Sequence, residues 1–572
     1  MIQTKIFDSL TLIRPDNCPT NSETLKFSML RNEPLSFQMA YKLCNTTDAS
    51  KTSEEEHFFI RIESDLDINT YHVGNVPIIH NFSKITPKMP LGMYPDILFP
   101  KKTNPELKKE IIHNGIGYRY IELGEKISLR AYNDSWNTVW FTVNEQSIPC
   151  EAGIHRIKIE LFDIGYNKVG ETELTVDIID ALLPEQSLIY TNWFHNDCLA
   201  DYYELELFSD EYFKVMADFL ALAVKNGMNM VLLPAFTPPL DTSIGEERMT
   251  VQLVDVEFDG NNYSFDFSLM KKYIEICKSV GIKYFEHSHF FTQWGAAHAP
   301  KIIAKVCGEK QKIFGWETDA SGEEYVKFLR SYIPKVKEFL KNEGLLETTL
   351  FHISDEPSEK QLDTYKKSLS NIEDLLSDCL VGDALSDYKY YESGLVKTPI
   401  ARTHKVMDFV GKCDNLWVYY TGGECYNGLS NRLIELPRER NRMMGIQLYS
   451  FNAKGFLHWG YNFYYGKHCH GLYNPMVDPY CGFPNAGTTY SVYPDINRKP
   501  LQSIHQKIFA EGLIDMRALQ LLEQLAGRKE CDELIESYLG VPDVYNTPDT
   551  PEKLIKFRSA LNNKIKEYVE GE

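Results

Sequence analysis

Two hydrophobic rhythms divide the chain. Up to about residue 185, short stretches such as 34–43, 57–63 and 136–142 alternate apolar and polar positions, the period-two pattern of half-buried strands. The clearest unit is the pair HRIKIELFD (155–163) and TELTVDIID (172–180), whose connection carries Gly165, Asn167 and Gly170 and predicts a hairpin. Strands at this spacing, without helical periods between them, predict a β-sandwich. After ALLPE (181–185) the rhythm changes. Strand-like runs at 188–194, 228–233, 283–291, 348–354, 379–384, 415–420 and 455–463 now alternate with helical periods at 211–226, 269–280, 323–342, 359–376 and 437–449. A hairpin-like insertion occupies 251–267. Repeated strand-then-helix units predict an elaborated (β/α)8 barrel rather than an open sheet. The predicted organisation is α/β and multidomain. An N-terminal β-sandwich (1–185) precedes a TIM-like barrel (186–516), and a short C-terminal helical segment (517–572) packs on the barrel. The sandwich strands show no exposed aromatic row, so the sandwich is expected to pack against the barrel rather than bind glycan.

Composition narrows the function. At 572 residues the chain exceeds one hydrophobic core. A formal charge of −20 with scattered basic residues repels phosphate backbones and anionic lipid, which argues against a nucleic-acid partner. No apolar run reaches spanning length, so no integral membrane association is expected. MIQTKIFDSLTLIRPD has no signal-peptide pattern, and the 12 Cys lack a disulfide scaffold's spacing; a cytoplasmic, reducing setting is expected. No Gly-rich phosphate loop follows a strand, so no cofactor is expected. His468, Cys469, His470 and Cys481 cluster in sequence without a CxxC or HxxxH pattern, and no metal is expected there. The 34 Tyr could line a sugar cleft, because ring faces cover the C–H face of a pyranose, but core filling explains them equally well.

The chemistry concentrates in TTLFHISDEP (348–357), where an apolar strand ends in two adjacent carboxylates before Pro357. The C-terminal rim of a barrel strand is where barrel enzymes hold their catalytic groups. Two neighbouring carboxylates do not ionise together easily, so one stays protonated. A neutral Glu356 would protonate a glycosidic oxygen while ionised Asp355 stabilises positive charge. The competing reading is helix capping by Asp355, with Glu356 in the first turn.

With this segment the chain resembles glycoside hydrolase family 123, the β-N-acetylgalactosaminidases, and related barrel domains. The resemblance runs from about 150 to 525. NWFHNDCLADYY (192–203), FEHSHFFTQWGAAHAP (285–300), IFGWET (313–318), FHISDEP (351–357), GDALSD (382–387), GFLHWGYNFYY (455–465) and SVYPD (491–495) carry it, specific in this order. It implies a retaining, exo-acting enzyme with substrate-assisted catalysis, in which the substrate's acetamido oxygen attacks the anomeric carbon and forms an oxazoline-type intermediate. On this chain Asp355 would orient the acetamido group, and Glu356 would be general acid and then base. The implied substrate is a terminal β-GalNAc of a glycan or glycolipid headgroup; residues alone do not separate GalNAc from GlcNAc. SIHQKIFAEGLID (503–515) departs from the family stretch, with His505 where a basic residue often stands.

Candidate substrate-binding residues follow from strand ends. Trp459 and Tyr461 are expected to share a strand face, and Trp417 and Tyr420 end another strand, Tyr420 preferred for the acetamido oxygen. His195, Asp197, His289, Trp294 and Asp383 are expected near the rim to read hydroxyls; for each, core packing or turn capping is the competing reading. Two alternatives remain. SDEP is also similar to the Asn-Glu-Pro of double-displacement barrel glycosidases, which would make Glu356 the acid/base and Glu424 the nucleophile. The other is a non-catalytic, barrel-based sugar-binding protein.

Overall fold

The computed structural model describes residues 2–20, 26–43, 55–101, 109–113, 118–122 and 126–571. The alternation of the first third produces two facing sheets. One has five strands in the order Phe27–Leu30, Lys168–Ile179, Gly153–Asp163, Glu55–Glu63, Ile127–Tyr132. The other runs Ile2–Asp8, Leu35–Leu43, Asn137–Val143, Ile68–Ile78, Gly92–Pro100, then Pro500–Ser503 and Val492–Pro494. Every second residue points between the sheets: Phe37, Met39, Phe141 and Val143 meet Phe58, Ile60, Ile157 and Ile159 there. Tyr71, Val73, Leu98 and Trp140 instead join the core of the barrel's helical layer. The sandwich therefore packs on the barrel, and its larger sheet is completed by strands from beyond the barrel, with Ser503 opposite Ile97 and Gln502 opposite Leu98. His505, just past this junction, pairs through Nδ1 with Asp96 at 2.8 Å.

The eight parallel barrel strands are β1 (Ile189–Asn192), β2 (Met230–Leu233), β3 (Tyr284–His287), β4 (Thr349–Phe351), β5 (Leu380–Leu385), β6 (Thr398–Arg402), β7 (Trp417–Tyr419) and β8 (Gly455–His458). Ile189 beside Gly455 closes the ring. Strand β6 is absent from the sequence expectation. TPIAR is five residues with a proline inside and shows neither a long apolar run nor alternation. The principal helices are α1 (Asp210–Lys225), α2 (Ser268–Ser279), α3 (Glu323–Asn342), α4 (Leu362–Ser370), α5 (Arg438–Ser450), α6 (Ile504–Ala526), α7 (Arg528–Leu539) and α8 (Pro551–Glu570). The helix expected over 359–376 is broken. Ser370 and Asn371 bond back to the Lys367 carbonyl, and a short 3-10 turn, Glu373–Leu376, follows. Helix α6 begins at Ile504, well before the expected start near Arg517. It crosses α5 at Gly445 and Gly512, where a Cβ on Gly445 would lie 1.8 Å from the Gly512 carbonyl oxygen.

Inside the barrel, Met230, Leu232, Leu350, Ala384, Ile400, Trp417, Tyr419 and Leu457 form a separate cluster. Gly455 leaves the space that Trp417 fills, since a Cβ there would meet the indole at 2.1 Å. Among the described residues no helix is long and apolar enough to cross a membrane.

Candidate active site

The chain leaving β4 is gripped on both sides. Phe290 and Phe291 donate their N–H groups to the carbonyls of His352 and Ile353, Trp294 N–H donates to the Asp355 carbonyl, and Glu356 N–H donates to Ala384 O. Asp383 on β5 accepts from the backbone N–H groups of Ile353 (2.9 Å) and Ser354 (3.2 Å) and from Tyr365 Oη of α4 (2.6 Å). Glu356 is thereby held at φ +43°, in the left-handed region that costs a side chain strain and recurs at functional sites. Neither carboxylate caps a helix. Ser358 takes that role in a capping box with Gln361, leaving Asp355 and Glu356 free of it.

Both line a cavity of about 290 Å³ at the barrel mouth. That is near the small end of ligand sites, which span roughly 300–1,000 Å³. Trp193, Trp294, Trp459, Leu240 and Leu457 give it apolar walls; Asp241, Gln293, His195, Asn485 and Thr488 add polar groups, and among the described residues no Lys or Arg lines it. Asp241 (φ +45°) and Trp294 (φ +60°) share the strained backbone of Glu356.

Glu356 Oε1 accepts from Tyr419 Oη at 2.7 Å and lies 3.7 Å from Arg402 Nη1; its side chain is 32% exposed. Burial, then the neighbouring Glu356 carboxylate, push Asp355 well above the usual carboxylate range. The sequence reading instead expects Asp355 to be the ionised member of the pair. The upward push on Asp355 comes first from its burial, to which the Glu356 and Asp383 charges add while His352 and Arg402 oppose. Beneath lies buried His352, with Nε2 2.8 Å from Glu286 and Nδ1 3.5 Å from Asp383. Burial opposes its charge, but these two carboxylates prevail and push it up to about 10. Glu286 also accepts from Trp193 Nε1 at 2.9 Å, which fixes that indole in the cavity wall.

A carboxyl that keeps its proton in the native state and loses it on unfolding makes stability fall as pH rises from the ordinary carboxylate value through the raised one. Asp355→Asn is therefore expected to raise Tm at pH 7–8 by roughly 1–2 °C, a gap that closes toward pH 4. Calorimetry across pH checks this; a variant less stable than wild type at pH 8 contradicts it.

Of the candidate substrate-binding residues, His195, Trp294 and Trp459 line the cavity. His195 Nε2 lies 2.8 Å from the Trp459 carbonyl, and burial with the nearby Arg248 charge lowers the ring to about 4, so it is neutral near pH 7. The other candidates lie off the cavity. Asp197 is buried in a two-pronged pair with Arg248, at 2.7 and 2.9 Å, and Arg248 Nη1 donates to Leu240 O at 2.8 Å; the pair anchors the loop after β2. His289 is buried and stacks on His352 with ring centroids 4.6 Å apart. Asp383 clamps backbone, as above. Trp417 is buried in the barrel interior.

Tyr420 faces the helical layer and Tyr419 takes the inward position, because inward residues on β7 are Trp417 and Tyr419, two apart. Tyr461 is also turned away. Strand β8 ends at His458, so the period-two rule lapses, and Tyr461 Oη donates to Phe219 O of α1 at 2.8 Å. The residues missed are Tyr419, Arg402, Arg248 and Asp241. Correct parity on β7 would have found Tyr419; Arg402 ended the strand that went unseen.

Glu424 does not line the cavity. Arg402 Nε donates to it at 2.7 Å, and Thr421 N–H and Oγ1 occupy the other oxygen. Burial opposes its ionisation, but His404, Arg402 and Thr421 outweigh that and lower it to about 2. His468, Cys469, His470 and Cys481 do not converge: His470 pairs with Glu246, Cys469 Sγ contacts Asp241 O, and Cys481 is buried. Among the described residues no group of three or more His, Cys, Asp or Glu is arranged to hold a metal.

A family model for the glycoside hydrolase 123 catalytic domain matches residues 193–522. Over 100% of its length the chain is similar in fold to 98% of a family 123 glycoside hydrolase from Clostridium perfringens studied for glycolipid glycan hydrolysis, at 14% identity and TM-score 0.72. A family 2 glycosyl hydrolase from Bacteroides cellulosilyticus DSM 14838 aligns at 8% identity and TM-score 0.27, covering 84% of this chain and 49% of that one. A β-glucuronidase from Parabacteroides merdae aligns at 9% identity and TM-score 0.24, covering 76% and 46%. Neither of these two bears on the site. No curated protein sequence matches the chain.

Proposed function

We propose, from the premise that the chain belongs to glycoside hydrolase family 123, that this glycosidase is a retaining, exo-acting β-N-acetylgalactosaminidase working by substrate-assisted catalysis. The observation that carries the reading is the adjacent pair at one rim, Asp355 and Glu356, with the rival nucleophile Glu424 fully engaged away from the cavity. Indole walls and, among the described lining residues, the absence of Lys and Arg suit a neutral terminal sugar beside the pair.

In the first step the acetamido oxygen bonds to the anomeric carbon as the glycosidic C–O bond breaks, and Glu356 gives its proton to the departing oxygen. Asp355 accepts the acetamido N–H and stabilises the positive charge of the oxazoline-type intermediate. That hydrogen bond favours the ionised form of Asp355 and leaves the pair's shared proton for Glu356 to donate. Glu356 then takes a proton from water, whose oxygen opens the intermediate; two inversions give retention. The likeness to an enzyme of glycolipid glycan hydrolysis supports a glycan or glycolipid headgroup as substrate.

The test is turnover of aryl β-GalNAc, β-GlcNAc and β-galactoside. Only 2-acetamido sugars should be hydrolysed, with β-GalNAc preferred; comparable turnover of the galactoside would overturn the mechanism. Glu424→Gln in the same assay is expected to lower kcat less than about tenfold, through loosened Arg402. A loss of the size expected for an acid/base or nucleophile, about 10²–10⁴, would instead favour double displacement.

A further inference from the structure

Among the described residues lining the cavity, Phe82 alone comes from the N-terminal sandwich; the rest belong to the barrel segment. It sits in the connection between the strands Ile68–Ile78 and Gly92–Pro100. That connection is tied to the barrel at two places. Tyr480 Oη accepts from Ile79 N–H and His80 N–H at 3.1 Å each and donates to His80 O at 2.7 Å, and the His80 ring stacks on Tyr480. Thr86 N–H donates to Cys425 O at 3.0 Å, Asn427 N–H donates to Thr86 Oγ1 at 2.8 Å, and Ile85 is buried against Cys425, Leu433 and Leu436 with Phe82 packed on the cluster.

These ties set which side of the cavity Phe82 occupies. Cys425 follows Glu424, which holds Arg402; Arg402 and Tyr419 flank the Glu356 carboxyl, and Thr421 to Gly423 line the cavity between. Phe82 is thus on the Glu356 side. Resting on the function proposed above, that side receives the leaving group, because Glu356 must reach the departing oxygen. A second observation points there. Asn485 lines the cavity, is 2% exposed and donates through Nδ2 to Gly422 O, while its Oδ1 is buried with no partner. An unpaired buried acceptor is costly and becomes satisfied when a hydroxyl donates to it.

We propose that Phe82 and Asn485 form an acceptor subsite for the sugar on the leaving-group side of the scissile bond. Phe82 covers the C–H face of that ring and Asn485 Oδ1 accepts one of its hydroxyls. Among the described residues the lining carries no Lys or Arg to meet an anionic sugar, so the subsite takes a neutral hexose. The sandwich is then part of the substrate-binding surface and selects what the terminal sugar is attached to.

The experiment compares kcat/KM for β-GalNAc linked to galactose with that for methyl β-GalNAc, in wild type, Phe82→Ala, Phe82→Tyr and Asn485→Ala. The readout is the ratio of the two values, which is independent of the fraction of folded enzyme. Phe82→Ala and Asn485→Ala are each expected to lower the ratio about five- to tenfold, and Phe82→Tyr, which keeps the flat ring, to preserve it. A ratio unchanged in Phe82→Ala, whatever the absolute rates, overturns the subsite. If wild type turns over only sugars lacking the acetamido group, the functional reading fails, and the same ratio on a β-galactoside pair still decides the role of Phe82.

Discussion

Glu356→Gln is expected to lower kcat/KM on an oligosaccharide by about 10²–10⁴, the usual worth of a positioned general acid. The loss should depend on the leaving group. An activated aryl aglycone departs with little protonation, so the deficit shrinks along a series of increasingly acidic phenols. Asp355→Asn should show a comparable loss with no such dependence, because in the proposed mechanism its carboxylate serves the acetamido group and not the departing oxygen. Measuring both variants across one aryl β-GalNAc series separates the roles. Parallel leaving-group dependence in the two would sink the division of labour proposed for the pair. The geometry explains why a modest change suffices: Tyr419 Oη at 2.7 Å and the left-handed backbone at Glu356 fix the carboxyl in one place.

Arg248→Met is expected to destabilise the protein by about 3–5 kcal/mol, because it strands the Asp197 carboxylate in the interior. Asp197 is 1% exposed, and its pair with Arg248 meets little water. Burial works against its charge, while Arg248 holds its carboxyl below the usual range. The urea midpoint should fall accordingly, and KM should rise as well, since the Leu240 carbonyl keeps only Thr242 Oγ1 of its two donors, and Leu240 and Asp241 form one wall of the cavity. Adding Asp197→Leu to Arg248→Met should restore much of the midpoint but not KM. A single variant losing under about 1 kcal/mol would mean that the pair behaves as a surface ion pair.

The sequence carried its clearest information where one periodicity held over a long element. Alternation over 155–163 and 172–180 marked a hairpin whose strands are Gly153–Asp163 and Lys168–Ile179, and α3 occupies the span its period predicts. The site was legible down to the strand that bears the carboxylates and less so beyond it. Barrel strands of three to six residues, such as β4 and β5, are too short to fix parity from pattern alone. Hence Tyr420 stood in for Tyr419, and TPIAR, with Arg402 at its end, passed unseen. Asp197, His289 and Asp383 were expected near the rim from their strands, but sequence does not show depth. Each is buried against a partner that lies far away in the chain: Arg248, His352 and the backbone at Ile353 and Ser354. Arg248 and Asp241 came from an irregular loop with no periodicity to read.

The larger sheet of the sandwich closes on Pro500–Ser503, which pairs with a strand made some 400 residues earlier. During synthesis at about 5–20 residues per second, the Gly92–Pro100 edge waits on the order of 20–80 s for its neighbour. Throughout that interval it exposes unpaired N–H and C=O groups and, on one face, Leu98, which is fully buried in the finished molecule. The nascent chain therefore carries an open, partly apolar edge for most of its time on the ribosome.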